Sequence, residues 1–239
     1  MWLVASAVMR DLSTITTTLP GVWREIRRFN LPVKLAVAAA HHVAPRLTAP
    51  GQALLVGLAP CRPGSPELNK ITRDLDVGFD DPVKAGTLRV NPIYTMHAID
   101  NLGISALSLA LANDARAVNF GGAAGQAWVA LEHLLEQDVA EAIVFGGDQT
   151  DASWRGEPDP ANELGVALAF ARARGDARVR LVAIERGDAT DHAAVPHAAH
   201  GLINWLAALE SAPPGTHRYV VPAHDGDAID QITVVAEVA

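Results

Sequence analysis

Apolar blocks alternate along the chain with stretches rich in glycine, proline and aspartate, and the blocks differ in length and period. Residues 2–8, within WLVASAVMR, form a short continuous run that predicts a buried first strand. Asn30, Leu31 and Pro32 read as a helix start with proline in the first turn. VKLAVAAAHHVAPRL continues that helix to Pro45. Residues 52–57, QALLVG, predict a strand buried on both faces. Residues 97–111 are apolar for long enough to predict a buried helix, followed by a strand over 115–120. The spacing of Ala127, Leu131, Leu134 and Leu135 predicts a helix over 125–137 with those residues inward. AEAIVF, 140–145, predicts a strand that stops at Gly146 and Gly147. Further strands are expected over 164–171, 179–185, 219–221 and 232–237, with a helix over 197–210.

The alternation of strands with helices predicts a layered α/β fold with mostly buried strands. The helix over 125–137, between two strands, forms a βαβ unit. No repeat or compositional break marks a second domain, so one domain over 1–239 is expected.

Composition narrows the function classes. Hydrophobic residues are 49% and charged residues 19%, which supplies a substantial core. Aromatics are only 5%, and much of the apolar content is alanine, suited to close helix packing. The formal charge of −8 argues against nucleic acid or an anionic membrane as partner, since both reward a basic face. The lone Cys61 excludes an internal disulfide framework and a cysteine-based zinc site, which points to a reducing cytoplasm. The apolar start has no basic residue ahead of it and is too short to span a bilayer, so neither a signal peptide nor an anchor is expected.

Candidate chemistry is sparse. GGAAG, from Gly121 to Gly125, joins a strand to a helix and carries no reactive side chain. It offers a loose dinucleotide motif, with Asp148 after the next strand as a ribose ligand. It also reads as a tight turn in which glycine allows close packing. Cys61 lies in a proline-rich loop rather than at a helix N-terminus, and so reads as a bland thiol. His41 and His42 are adjacent, while His197 and His200 share a helix face, but no acidic residue or cysteine beside them completes a metal set. HDGD, His224 to Asp227, reads as a turn. No metal and no cofactor is expected.

The order of features resembles the β-ketoacyl synthase branch of the thiolase fold. LPVKLAVAAAHHVAPRL followed by QALLVGLAPC is similar to that family's first long helix and next strand. VNPIYTMHAIDNLGISALSLAL resembles the stretch approaching the subunit interface. AVNFGGAAGQAWVALEHLLEQDVAEAIVFGGD resembles the nucleophile-elbow unit, and ELGVALAFARARGDARVRLVAIERG the hairpin closing the N-terminal half. HAAHGLINWLAALES and DAIDQITVVAEV resemble the last helix and last strand of the second half.

The resemblance implies a ketosynthase fold with a complete N-terminal half, 1–187, and an abbreviated C-terminal half, 188–239. It places Gly122 where the acyl-accepting cysteine belongs, and glycine can form no thioester. The histidine-bearing segments of the second half have no counterpart. The implied role is a catalytically silent chain length factor of the kind found in type II polyketide and aryl polyene systems, paired as a heterodimer with an active ketosynthase and meeting an acyl carrier protein transiently. Tyr94, Met96, Ile99, Phe120 and Val118 are the implied tunnel and interface residues. A nucleotide-binding oxidoreductase using the glycine turn and Asp148, and a scaffolding homodimer, remain as alternatives.

Overall fold

The structure, a computed structural model, describes residues 1–11, 13, 26, 29, 31–58, 102–120, 126–148, 164–188, 198–225 and 228–239. Its elements in chain order are β1 (Trp2–Met9), α1 (Leu31–Val43), β2 (Leu54–Leu58), α2 (Leu102–Leu111), β3 (Ala117–Phe120), α3 (Gln126–Glu136), β4 (Glu141–Asp148), β5 (Leu164–Ala171), β6 (Val179–Asp188), α4 (Ala198–Glu210), β7 (Gly215–Asp225) and β8 (Ala228–Val238).

All eight strands join one sheet in the order β3-β2-β4-β5-β1-β6-β8-β7. β3, β2 and β4 run parallel, with Leu58 beside Phe120 on one side and Gly146 on the other. Thus β3, α3 and β4 form the expected βαβ unit, with β2 between its strands. The remaining pairings are antiparallel.

At the centre, β5 is buried along its whole length. Its alternation is one of size rather than polarity. Leu164, Val166, Leu168 and Phe170 enter the core shared with α3 and α4, whereas Ala167 and Ala169 enter the core shared with α1 and α2. Small residues on that second face let the alanine-rich α1 lie close. The closest approach is at Gly147 and Gly165, a cross-strand pair. A Cβ at Gly147 would stand 2.1 Å from the Pro32 carbonyl oxygen, and one at Gly165 2.1 Å from the Leu35 carbonyl carbon. Only glycine fits beneath the helix at these two positions.

The other face coils. The Trp128 ring of α3 meets Trp205 of α4 at 6.4 Å and Tyr219 of β7 at 6.3 Å. α3 also packs on β2, β3 and β4. In a flat sheet β2 and β7 would lie roughly 29 Å apart, at about 4.8 Å per strand, too far for one helix to touch both. The β6-β8-β7 ribbon therefore curls back over α3 and α4. The layers are α1 with α2, the central sheet, α3 with α4, and the ribbon. The one sheet thus ends, on this side, in a three-strand ribbon.

Three expectations need correction. The strands over 164–171 and 179–185 do not form a hairpin with each other, because β1 lies between them, with Trp2 paired to both Ala171 and Arg180. β1 is half-buried rather than buried, and Val8 is 40% exposed. β4 does not stop at Phe145 but runs through both glycines to Asp148, because Gly147 yields space to α1 and Gly146 to the Leu58 side chain of β2, and neither forms a turn.

Candidate functional site

The parallel strands end together at Leu58, Phe120 and Asp148, and α3 and α4 begin near the same end. In open parallel sheets the carboxyl ends of the strands form the crevice where ligands and reacting groups collect.

Asp148 is the one buried charged residue among those described, 1% exposed. Its Oδ2 accepts hydrogen bonds from the backbone N–H of His200 at 3.0 Å and from the His200 ring nitrogen Nδ1 at 3.1 Å. His200 stands in the first turn of α4, so a carboxylate supplied by β4 occupies the capping position of that helix, where its charge also opposes the helix dipole. The assignment of Asp148 as a ribose ligand is therefore corrected. Its side chain is enclosed and bonded to His200 rather than presented to solvent. The histidine that sequence spacing grouped with His197 is joined instead to an acid 52 residues away.

Among the described residues β3 forms one edge of the sheet, paired with β2. Val118 and Phe120 are half-buried and pack against the α3 side of the core. The Phe120 ring meets the His133 ring edge-on at 5.6 Å. His133 escaped notice in the sequence, since it lies beside the apolar stripe of α3. Its Nε2 is buried without a hydrogen-bond partner among the described residues. Asn119 faces the other way, toward Gly57 and α2. The turn from α2 into β3 is tied down by Asn113, whose amide donates to the carbonyls of Pro50 at 3.0 Å and Ala53 at 2.9 Å. On α2, Ile104, Ala106 and Leu107 are buried, while Leu109 is 75% exposed.

Gly122, the whole turn from Gly121 to Gly125, Cys61, Tyr94, Met96, Ile99 and His197 lie outside the described residues. Among the described residues no cluster of three histidine, cysteine or acidic side chains could hold a metal.

No protein-family model matches the chain, and no curated protein sequence does. Solved structures do. A chain from the ketosynthase (ApeO) in complex with its chain length factor (ApeC) from Xenorhabdus doucetiae superposes with a TM-score of 0.59 at 13% identity, covering 98% of this chain and 99% of that one. This is the thiolase-like ketosynthase fold. A chain of the ishigamide ketosynthase/chain length factor gives the same TM-score at 14% identity, covering 94% of this chain and 85% of its own. The likeness to the first runs from end to end in both chains. At this identity the sequences share a ketosynthase fold, while the crevice residues are this chain's own. The Asp148–His200 pair lies at the carboxyl end of β4.

Proposed function

We propose that this chain is a non-catalytic, ketosynthase-like subunit of the chain-length-factor type, which pairs with an active β-ketoacyl synthase and shapes elongation of a polyketide or polyene chain. The observation that carries this reading is the end-to-end likeness to a chain from a ketosynthase–chain length factor complex. Gly122 supports it, because a residue without a side chain offers no nucleophile at the elbow. The open edge of β3, with the exposed Leu109 of neighbouring α2, supports a protein partner on that side. In this reading the chain acts as one domain, with residues 188–239 as its reduced second half. Tyr94, Met96, Ile99, Val118 and Phe120 line or flank the partner's tunnel, and an acyl carrier protein visits transiently. No helix among the described residues is long and apolar enough to cross a membrane, which agrees with a cytoplasmic setting.

The test is co-expression with an active β-ketoacyl synthase from the same source. A one-to-one complex on size exclusion is expected, since obligate interfaces of this kind bury about 2,000 Å² or more. Val118→Asp, which buries an unpaired charge at the edge, abolishes the complex. Because Val118 also touches its own core, Leu109→Asp serves as the second variant and breaks the complex without unfolding the chain. A stable monomer indifferent to the ketosynthase, or a covalent acyl adduct on the crevice of this chain, overturns the reading.

A further inference from the structure

At the end of the sheet opposite the crevice, where β4 begins and β5 ends, arginines gather. The chain carries −8 in total, yet Arg172, Arg174, Arg178 and Arg180 crowd the connection that leads β5 past the end of β1 into β6, all of them exposed. Arg172 and Arg180 wall a cleft of about 430 Å³ together with Met1, Trp2, Leu135 and Gln137. The guanidinium of Arg174 lies 5.1 Å from the centre of the Trp2 ring and that of Arg180 6.0 Å from it. One indole thus holds two cations beside the cleft.

The carboxylates nearby pair with these arginines unevenly, and Arg178 donates to the terminal Ala239 oxygen at 3.4 Å. Arg172 donates to the carbonyls of Val139 at 2.8 Å and Gln137 at 3.2 Å, and pairs with Asp138 at 3.0 Å. Arg180 pairs with Glu237 at 3.2 Å. Arg174 has no carboxylate partner among the described residues, and Asp176 on the same connection forms no ion pair with it. Arg116 adds a further guanidinium at the rim, donating to Gln137 Oε1 at 3.1 Å. The excess is felt inside the cleft. The Met1 amino group, which donates to the Leu181 carbonyl at 3.1 Å, is held below its ordinary pKa by burial first and then by Arg180 and Arg172.

We propose that this cleft binds a phosphate monoester, with Arg174 and Arg180 holding the phosphate and Trp2 and Leu135 packing its organic group. A monoester carries about −1.5 to −2 charges at neutral pH, which suits two guanidiniums that are shared with one carboxylate. The planar guanidinium fork matches pairs of phosphate oxygens better than a point charge would. The volume falls within the range of small-ligand sites, about 300–1,000 Å³, and the apolar walls give the organic group a place to lie. The site lies at the opposite end of the sheet from the Asp148–His200 pair and stands independently of the partner chemistry proposed above.

Calorimetric titration of the full chain, in its complex if it purifies that way, tests this with three probes: phenyl phosphate, inorganic phosphate and phenol. Phenyl phosphate is expected to bind more tightly than inorganic phosphate, and phenol not at all. Arg180→Gln and Arg174→Gln are each expected to weaken phenyl phosphate about tenfold or more, the usual effect of removing a charged hydrogen-bond donor. Arg186→Gln, an exposed arginine six residues further along β6 from Arg180, leaves binding unchanged. Arg174 makes no ion pair with a described residue, so its variant keeps the fold even if Arg180→Gln loosens β6. Absence of phenyl phosphate binding at millimolar concentration, equal binding of phenyl and inorganic phosphate, or undiminished binding in both arginine variants overturns the proposal.

Discussion

The central strands and the C-terminal ribbon are both antiparallel in part, yet they are built on different rules. In β5 every residue is buried, and the two faces differ only in bulk. In the ribbon the faces differ in polarity. Ile232, Val234, Ala236 and Val238 turn inward onto α3 and α4, while the outer surface carries Arg180 paired with Glu237 and Arg218 paired with Glu185. The second pair spans β8 beside Val235, which is only 5% exposed although it lies outside the main core. Val182 and Val220 remain partly bare, at 38% and 52%. The centre sets how near the helices come, and the ribbon seals the α3 and α4 layer while presenting a salt-bridged surface to water. A sheet face finished with ion pairs needs no outer helix layer, which is how the chain tolerates its abbreviated second half.

Trp128 joins the two regions, and removing it is the strongest way to break the contrast. Trp128→Ala is expected to cost about 3–5 kcal/mol, the range for a large buried aromatic. Amide exchange in β7 and β8 should rise more than in β5, and equal protection loss in both would show that the ribbon does not depend on this contact. Gly165→Ala tests the bulk rule of the centre. The added Cβ meets the backbone of Leu35, and overpacking of this kind costs about 1–3 kcal/mol or more. Urea denaturation reads it, and a neutral result would remove the close approach of α1 as a determinant of the fold. Arg218→Ala tests the surface rule of the ribbon and should cost about 0–1 kcal/mol, since both partners are exposed. A larger loss would make the pair structural rather than a solvent finish. The smallest effect concerns His41 on α1, whose pKa is lowered by burial first and then by His42. A histidine depressed in the fold takes up protons more readily when unfolded, so its contribution is complete above the ordinary imidazole range and lost as pH falls through it. His41→Gln should flatten the acid limb of the stability–pH curve, and an unchanged limb would place that sensitivity elsewhere.

The elements themselves were legible in the sequence. Pro32 in a first turn, the 3.6-residue stripe of Ala127, Leu131 and Leu134, and the unbroken apolar run of β5 are local signals, and each marked its element. Their neighbours were less so. Nothing in WLVASAVM says that it inserts between two strands adjacent in sequence, because pairing depends on partners some 160 residues away. Gly146 and Gly147 read as a stop since glycine is common in turns, whereas here Gly147 yields space to α1 and Gly146 to Leu58 of β2. β7 was foreseen only at its apolar end, because Thr216, His217 and Arg218 resemble a loop until β8 supplies their hydrogen bonds. The Asp148–His200 contact had no local trace at all. Gly122 lies outside the described residues, so its reading rests on the resemblance alone, while the acid–histidine tether required the fold.

The position of β1 sets the order in which the molecule can be made. The strand leaves the ribosome well before its pairing partners, from Gly165 to Ala171 and at Val179 and Arg180. At about 5–20 residues per second, the interval is on the order of 10–30 s. For that time an apolar, aromatic-led strand has no edge to join. The chain therefore carries a large share of long-range pairings that form late, and its nascent N-terminus is the segment that a holding chaperone would have to shield until β5 and β6 emerge on either side of it.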